Sequence, residues 1–219
     1  MVLLTTPRTL YSITKGLLKR RGGAEAAALL GIGADNPHVY TARTGLLDVD
    51  YLGHMNNAMY LSHAELARWE WTAHNGLLAA VSKNKLHFLV KGSCIRYRQE
   101  IRPVFRKFQV DSCLAGLDDK NLWISQKFRY SSDDRVRAQV VVQAVALKGR
   151  EVLDPRVFLK EMVGLDSDLV DSLSLPNMPN ATVENMLERY AALEEAMRAD
   201  ATEDDKLQRI LLKPVNISL

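Results

Sequence analysis

The sequence predicts an α+β fold in which one long helix covers one face of an antiparallel sheet. A single strand-like segment precedes the longest helical pattern, four strand-like segments follow it, and short polar connectors suit hairpin turns between them. With 219 residues, 47% hydrophobic and 25% charged, the chain is long enough to bury the core that such a fold requires.

Residues 1–37 are predicted to form a basic N-terminal extension. The first 22 residues contain no acid and five basic side chains, namely Arg8, Lys15, Lys19, Arg20 and Arg21. Leu10, Ile13 and Leu17 recur at helical spacing. This composition is typical of a mitochondrial presequence, although a solvated basic helix has the same pattern. We therefore expect an intracellular protein, either cytoplasmic or, if the segment is a presequence, mitochondrial.

Residues 38–150 are predicted to form the main domain. A first strand is expected over 38–47, and apolar and small residues at helical spacing predict the long helix over 58–74. Asn56 or Asn57 suits the cap of this helix, and Gly76 suits its end. Further strands are expected over 86–98, 105–117, 122–130 and 135–148, with polar connectors at 118–121 and 131–134.

Residues 151–219 are predicted to form a C-terminal helical extension. Helices are expected over 154–163 and 184–199, separated by a loop that contains Pro176 and Pro179. No apolar stretch approaches the roughly 20 residues that cross a bilayer, so we expect no integral membrane segment.

The composition excludes several classes of function. Apart from the basic N-terminus, the chain is near neutral, so it lacks the basic stripe of a nucleic-acid-binding protein. Cys94 and Cys113 have no metal-ligand spacing, and His63, His74 and His87 have no recognisable ligand partners, so no metal or redox cofactor is expected. Without a nucleophile-elbow serine or a glycine-rich phosphate loop, the chain resembles neither an α/β-hydrolase nor a nucleotide-hydrolysing enzyme.

The most informative segment is residues 48–60, which contain two carboxylates, a histidine and two amides directly before the long helix. A helix N-terminus can stabilise a developing negative charge. The sequence of residues 48–68, DVDYLGHMNNAMYLSHAELAR, resembles the signature of hotdog-fold thioesterases of the 4-hydroxybenzoyl-CoA thioesterase type, D-x-D-x-x-G-H-x-N-N-x-x-Y-L followed by E-x-A-R. It is most similar to the branch called thioesterase superfamily member six. The similarity extends from about residue 40 to 149 and implies a hotdog fold, in which the sheet wraps around the central helix.

The resemblance also implies an activity. It indicates an acyl-CoA thioesterase of fatty-acid metabolism that hydrolyses an acyl-CoA or acyl-carrier-protein thioester without a cofactor. Related enzymes place their sites at subunit interfaces, which implies a homodimer or a dimer of dimers. Two alternatives stay open, because the superfamily also contains dehydratases and members with no demonstrated reaction. They are a non-catalytic acyl-CoA-binding hotdog protein and an acyl-thioester dehydratase or hydratase.

Asp50 is the expected nucleophile or general base, because it falls on the second Asp of the D-x-D motif. Its alternative role is to cap a turn. His54 could orient water or bind the thioester oxygen, or it could be a structural loop histidine. Plant acyl-carrier-protein thioesterases have an Asn midway between such residues, whereas this chain has Leu52, so a relayed Asp–Asn–His mechanism is not expected. Asp48 is expected to orient the loop.

Asn56 and Asn57 are expected either to position substrate or water or to cap the helix. The resemblance places the oxyanion-binding N–H near Asn57. Glu65 matches the Glu of E-x-A-R; it is a candidate substrate-binding residue and is expected to pair with an arginine such as Arg68, three residues later.

A basic cluster is expected to bind substrate. Its members between positions 91 and 107 are Lys91, Arg96, Arg98, Arg102, Arg106 and Lys107. Arg96 and Arg98 share a strand face opposite Ile95 and Tyr97, and they could bind the phosphates of coenzyme A. A solvent-exposed strand face would show the same pattern.

Overall fold

The computed structural model describes residues 2–133 and 135–174. The strands are β1 (His38–Arg43), β2 (Leu86–Tyr97), β3 (Lys107–Leu117), β4 (Leu122–Arg129), β5 (Val136–Lys148) and β6 (Glu151–Leu153). The helices are α1 (Val2–Arg21), α2 (Ala24–Ala28), α3 (Asn57–Asn75), α4 (Leu77–Lys83), α5 (Pro155–Val157) and α6 (Ser167–Ser172). Helix α5 continues directly into a π-helical segment, Phe158–Val163. The helix predicted over 184–199 lies outside the described residues.

The strands form one antiparallel sheet in the order β1-β3-β4-β5-β2, with β6 paired to β5. The predicted α+β order and the hotdog arrangement of a sheet around a central helix are confirmed. The four later strands lie within two residues of their predicted bounds. No helix within the described residues is long and apolar enough to span a membrane.

The first strand is shorter than predicted, because it ends at Arg43. At Gly45 the chain turns: its N–H donates to the Asp48 carboxylate over 2.8 Å, and its carbonyl oxygen accepts from the N–H of Asp48. This turn removes residues 44–47 from the sheet. It also begins the polar loop that leads into α3.

Both predicted ends of the central helix α3 are confirmed. The Asn56 side chain caps it by accepting a hydrogen bond from the N–H of Ala58 over 2.9 Å. Such a cap contributes about 1 kcal/mol, because the first N–H groups of a helix have no partner within it. Gly76 follows the helix in the left-handed conformation, with φ +94°.

Helix α3 packs against the inner face of the sheet. Ala64 and Ala67 are completely buried there, beside Phe108 and Phe128 of the neighbouring strands. Gln126 of β4 is also buried under the helix, where its side-chain NH₂ donates to the carbonyl oxygen of Ala64 over 2.9 Å. Small residues on the helix therefore allow the sheet to approach it closely.

Helix α1 packs on another side of α3. A Cβ atom at Gly16 would lie 2.3 Å from the carbonyl oxygen of Glu70 and 2.8 Å from the Cβ of Ala73, so only glycine allows this approach. Leu10 and Leu17, which recur at helical spacing, point to solvent instead. The predicted N-terminal extension therefore contacts the main domain through small and charged residues, and its boundary at residue 37 stays a prediction.

Candidate active site

Residues 48–56 form a tight hairpin that we call the motif hairpin. The N–H of Asp50 donates to the carbonyl oxygen of His54 over 3.0 Å, and the N–H of Asn56 donates to that of Asp48 over 2.8 Å. Asp50 therefore lies on the first arm of the hairpin, while the second arm ends at the cap of α3. The predicted carboxylate and the helix N-terminus belong to one hydrogen-bonded unit.

The Asp50 carboxylate lies at the turn of the motif hairpin, and its side chain is 21% exposed. Its Oδ1 accepts from the N–H of Leu52 over 2.9 Å, which is the turn-capping role that the sequence left open. Its Oδ2 lies 3.3 Å from Nδ1 of His54. One oxygen therefore holds the turn, and the other faces the histidine of the motif.

The first residues of α3 are exposed beside the motif hairpin. Both Asn56 and Asn57 are exposed, and within the described part of the chain no group accepts a hydrogen bond from the N–H of Asn57. The Tyr97 hydroxyl donates to the carbonyl oxygen of Asn57 over 3.0 Å and so holds the next peptide, between Asn57 and Ala58. The N-terminus of a helix carries a partial positive charge, so the N–H of Asn57 is suited to bind a developing anion.

Asp48 is buried and orients the motif hairpin, as the sequence predicts. Its Oδ2 lies 3.0 Å from Nε2 of His63 and accepts from the N–H of Gly45 over 2.8 Å. Its Oδ1 accepts from Nη1 of Arg8 over 3.1 Å. Sequence reasoning treated His63 as structural and gave Arg8 no role, since no local spacing links either residue to position 48. The single signal in the sequence was that Arg8 lies in an N-terminal segment without acidic residues.

These contacts keep Asp48 ionised. Burial by itself would raise the pKa of this carboxyl group. The hydrogen bonds from His63 and from the N–H of Gly45, together with the charges of His63 and Arg8, lower the pKa to about 2 from its ordinary 3.8.

This lowered pKa predicts a pH-dependent contribution to stability. A carboxyl group whose pKa is depressed by folding stabilises the protein above its unfolded pKa, and that contribution disappears as the pH falls through the folded value. We expect Asp48→Asn to remove about 2 kcal/mol at neutral pH. The difference in unfolding free energy between wild type and variant should shrink between pH 4 and pH 2, as measured by urea titration. A difference in unfolding free energy that stays constant across this pH range would contradict the lowered pKa of Asp48.

Glu65 and Arg68 both lie on α3, but their hydrogen bonds go elsewhere. The exposed Glu65 accepts from Nε1 of Trp69 over 3.4 Å, whereas Arg68 donates from Nη1 to Oε1 of Gln126 over 2.7 Å. Burial lowers the pKa of Arg68, and the charge of Glu65 opposes this effect. In place of the expected ion pair, Glu65 and Arg68 have only a longer-range interaction between their charges. The reason is that the guanidinium of Arg68 turns inward toward Gln126 under the helix.

Arg96 alternates with Ile95 and Tyr97 along β2, whereas Arg98 directly follows the end of this strand. The inward position of Ile95 is shown by its packing against the core that includes Val140, its register partner on β5. Both arginines are half-buried. Their binding of coenzyme A phosphates stays a prediction.

A basic cleft of about 390 Å³ opens beside the same end of the sheet. Its lining residues are Arg43, Pro103, Val104, Phe105, Arg106, Lys107, Ser131 and Ser132. It contains two members of the predicted basic cluster and none of the motif hairpin. Within the described residues, no group of three or more His, Cys, Asp and Glu side chains could hold a metal ion.

Comparison with known proteins agrees with this architecture. Protein THEM6 of Xenopus laevis is 34% identical over 101 residues, which cover 46% of this chain and 48% of that protein. Protein THEM6 of Danio rerio is 26% identical over 168 residues, which cover 77% of each. The match therefore spans about half of the Xenopus relative and more of the zebrafish one. These relatives confirm the resemblance to the thioesterase superfamily member six branch.

Solved structures share the fold. YbaW, a probable thioesterase from Escherichia coli, superposes with a TM-score of 0.52 at 24% identity, covering 57% of this chain and 98% of that one. The family model described as the Thioesterase-like superfamily matches residues 44–185, which include the motif hairpin, α3 and β2 to β6. The chain therefore belongs to the Thioesterase-like superfamily.

Proposed function

We propose that the chain is an acyl-CoA thioesterase in which Asp50 is the nucleophile or general base and the N-terminus of α3 is the oxyanion site. One observation carries this proposal: the motif hairpin joins the Asp50 carboxylate to a helix start whose Asn57 N–H has no acceptor within the described residues. Membership of the Thioesterase-like superfamily supports thioester hydrolysis in general.

Two routes fit this arrangement. As a general base, Asp50 takes a proton from a water molecule, which attacks the thioester carbon; the C–S bond then breaks, and the thiolate leaves and is protonated. As a nucleophile, Asp50 attacks that carbon itself; the C–S bond breaks, the thiolate leaves and is protonated, and water then hydrolyses the mixed anhydride that remains. Either route puts negative charge on the carbonyl oxygen, which the N–H of Asn57 and the helix partial charge would stabilise. His54, 3.3 Å from Asp50, would orient the carboxylate or the water.

The proposed assembly is a homodimer. Within the described residues β2 pairs on one side alone, with β5, and it exposes 39% of Phe88, 54% of Leu89 and 47% of Val90. A second copy could cover this apolar edge, as natural sheets often require. Since Tyr97 at the end of β2 contacts the start of α3, a partner strand that pairs along the whole of β2 would reach the site. Light scattering should give twice the mass of one chain, and a monomer at all concentrations would contradict the proposal.

Thiol release tests the function. We expect the purified protein to release free thiol from at least one member of a panel of short-chain, long-chain and aromatic acyl-CoAs. Thermal stabilisation by an acyl-CoA without thiol release would instead support a binding protein. A change in enoyl absorbance without thiol release would support a hydratase.

A further inference from the structure

We propose that Arg8 of α1 is a positioning residue of the candidate active site, which holds the motif hairpin through the carboxylate of Asp48. The proposal rests on the proposed function for its kinetic effect. Its structural effect can be measured independently of any reaction.

The guanidinium of Arg8 approaches both oxygens of Asp48. Nη1 lies 3.1 Å from Oδ1, and Nη2 lies 3.4 Å from Oδ2. The Asp48 side chain is 3% exposed and that of Arg8 is 36% exposed, so the arginine closes the carboxylate off from solvent. A planar guanidinium matches a carboxylate in this forked geometry, whereas an ammonium group offers a single point charge.

Asp48 passes this constraint to both arms of the motif hairpin. Its side chain fixes the preceding turn by accepting from the N–H of Gly45 over 2.8 Å. Its carbonyl oxygen accepts from the N–H of Asn56 over 2.8 Å, and Asn56 caps α3. Asp50 is two residues from Asp48 on the same arm. A shift of Asp48 would therefore move the candidate carboxylate and the oxyanion site relative to each other.

His63 cannot replace Arg8 in this role. Its Nε2 lies 3.0 Å from Oδ2 of Asp48 and 3.2 Å from Nη2 of Arg8, and its buried Nδ1 has no partner within the described residues. The tautomer that carries its proton on Nε2 donates to Asp48 and reaches a single oxygen of the carboxylate. Without Arg8, Oδ1 of a buried, ionised carboxylate would lose its donor.

The position of Arg8 is set by the docking of α1. Lys15 and Lys19, two and three turns further along, bind the buried Glu70 of α3, and the close approach at Gly16 fixes the distance between the helices. The basic N-terminal helix is therefore coupled to the motif hairpin through Arg8. A chain without this helix would keep Asp50 but lose the contact.

The experiment compares Arg8→Gln with Arg21→Gln, a matched loss of one positive charge at an exposed position of the same helix that leaves Asp48 and Glu70 untouched. We expect Arg8→Gln to lower kcat at least about tenfold with little change in KM, because misplaced groups slow the chemical step. Arg21→Gln should stay within about twofold of wild type. Arg8→Lys should recover part of kcat, because it keeps the charge but not the fork.

Hydrogen exchange gives the second measurement. Arg8→Gln should increase the exchange of the N–H groups of Asp50 and Asn56 more than Arg21→Gln does. An unchanged kcat and exchange in Arg8→Gln, or equal effects of the two variants, would overturn the proposal. If the wild type releases no thiol, the proposed function fails and exchange alone decides the role of Arg8. If Arg8→Gln does not fold, the same comparison is made with Arg8→Lys.

Discussion

Asp50→Asn is expected to lower kcat for acyl-CoA hydrolysis at least about a hundredfold, the scale of removing a positioned acid–base group. The amide oxygen of Asn can still accept from the N–H of Leu52, so the turn is preserved. The amide can neither take a proton from water nor attack the thioester. The change therefore separates the chemical role of Asp50 from its turn-capping role, and thiol release under saturating substrate measures it.

Glu100→Gln is the matched control for this prediction. Glu100 is an exposed carboxylate in the loop after β2, where it pairs with Arg102 over 2.8 Å. Its neutralisation should leave kcat unchanged. Both variants should differ from the wild type in thermal stability by no more than surface substitutions usually do. Full thiol release by Asp50→Asn would mean that Asp50 only caps the turn.

The largest expected effect on stability comes from replacing both Lys15 and Lys19 with methionine. The Glu70 side chain is completely buried, and the two ammonium groups lie 2.9 Å and 2.6 Å from its oxygens. Their loss would leave a buried carboxylate without a cation, which costs about 3–5 kcal/mol. In the wild type His38, 3.9 Å away, adds no further charge, because burial and then the charges of Lys19, His74 and Lys15 lower its pKa to about 3.

Adding Glu70→Met to the double variant supplies the control. With the carboxylate gone, most of the lost stability should return, because no buried charge remains without a partner. Urea unfolding of the three proteins measures the difference. A loss below about 1 kcal/mol in the double variant would mean that these contacts behave as exposed ion pairs.

The ion pairs of α1 also bear on the cellular location of the protein, which stays a proposal. A mitochondrial presequence is removed from the mature protein. Removal of the first 22 residues would separate Glu70 from its two lysines and Asp48 from Arg8. We therefore propose that the mature protein keeps its basic helix, whether it is cytoplasmic or mitochondrial.

Local patterns made most of the fold predictable. Asn56 and Gly76 mark the two ends of the central helix. Both ends were predictable because a capping amide and a left-handed glycine act only on the residues next to them. Alternation and polar connectors located the four later strands for the same reason. The short helix α4 was missed, because Gly76 suggested a stop; the side chain of Asn75 instead accepts from the N–H of Leu77 and begins a second helix.

The site was less predictable, because its contacts join distant parts of the chain. Arg8 and Asp48 are 40 residues apart, and no spacing rule connects them. Arg68 turns away from Glu65 because Gln126, on a strand 58 residues later, offers an acceptor under the helix. Such contacts depend on how the sheet and the helices pack, which the hydrophobic pattern does not encode.

The most direct test is a crystal structure with an acyl-CoA analogue in which a methylene group replaces the thioester sulfur. The carbonyl oxygen should lie about 3 Å from the backbone nitrogen of Asn57. The Asp50 carboxylate should lie about 3–3.5 Å from the carbonyl carbon, or from a water molecule that it directs there. An analogue whose carbonyl group lies away from both residues would contradict the proposed site.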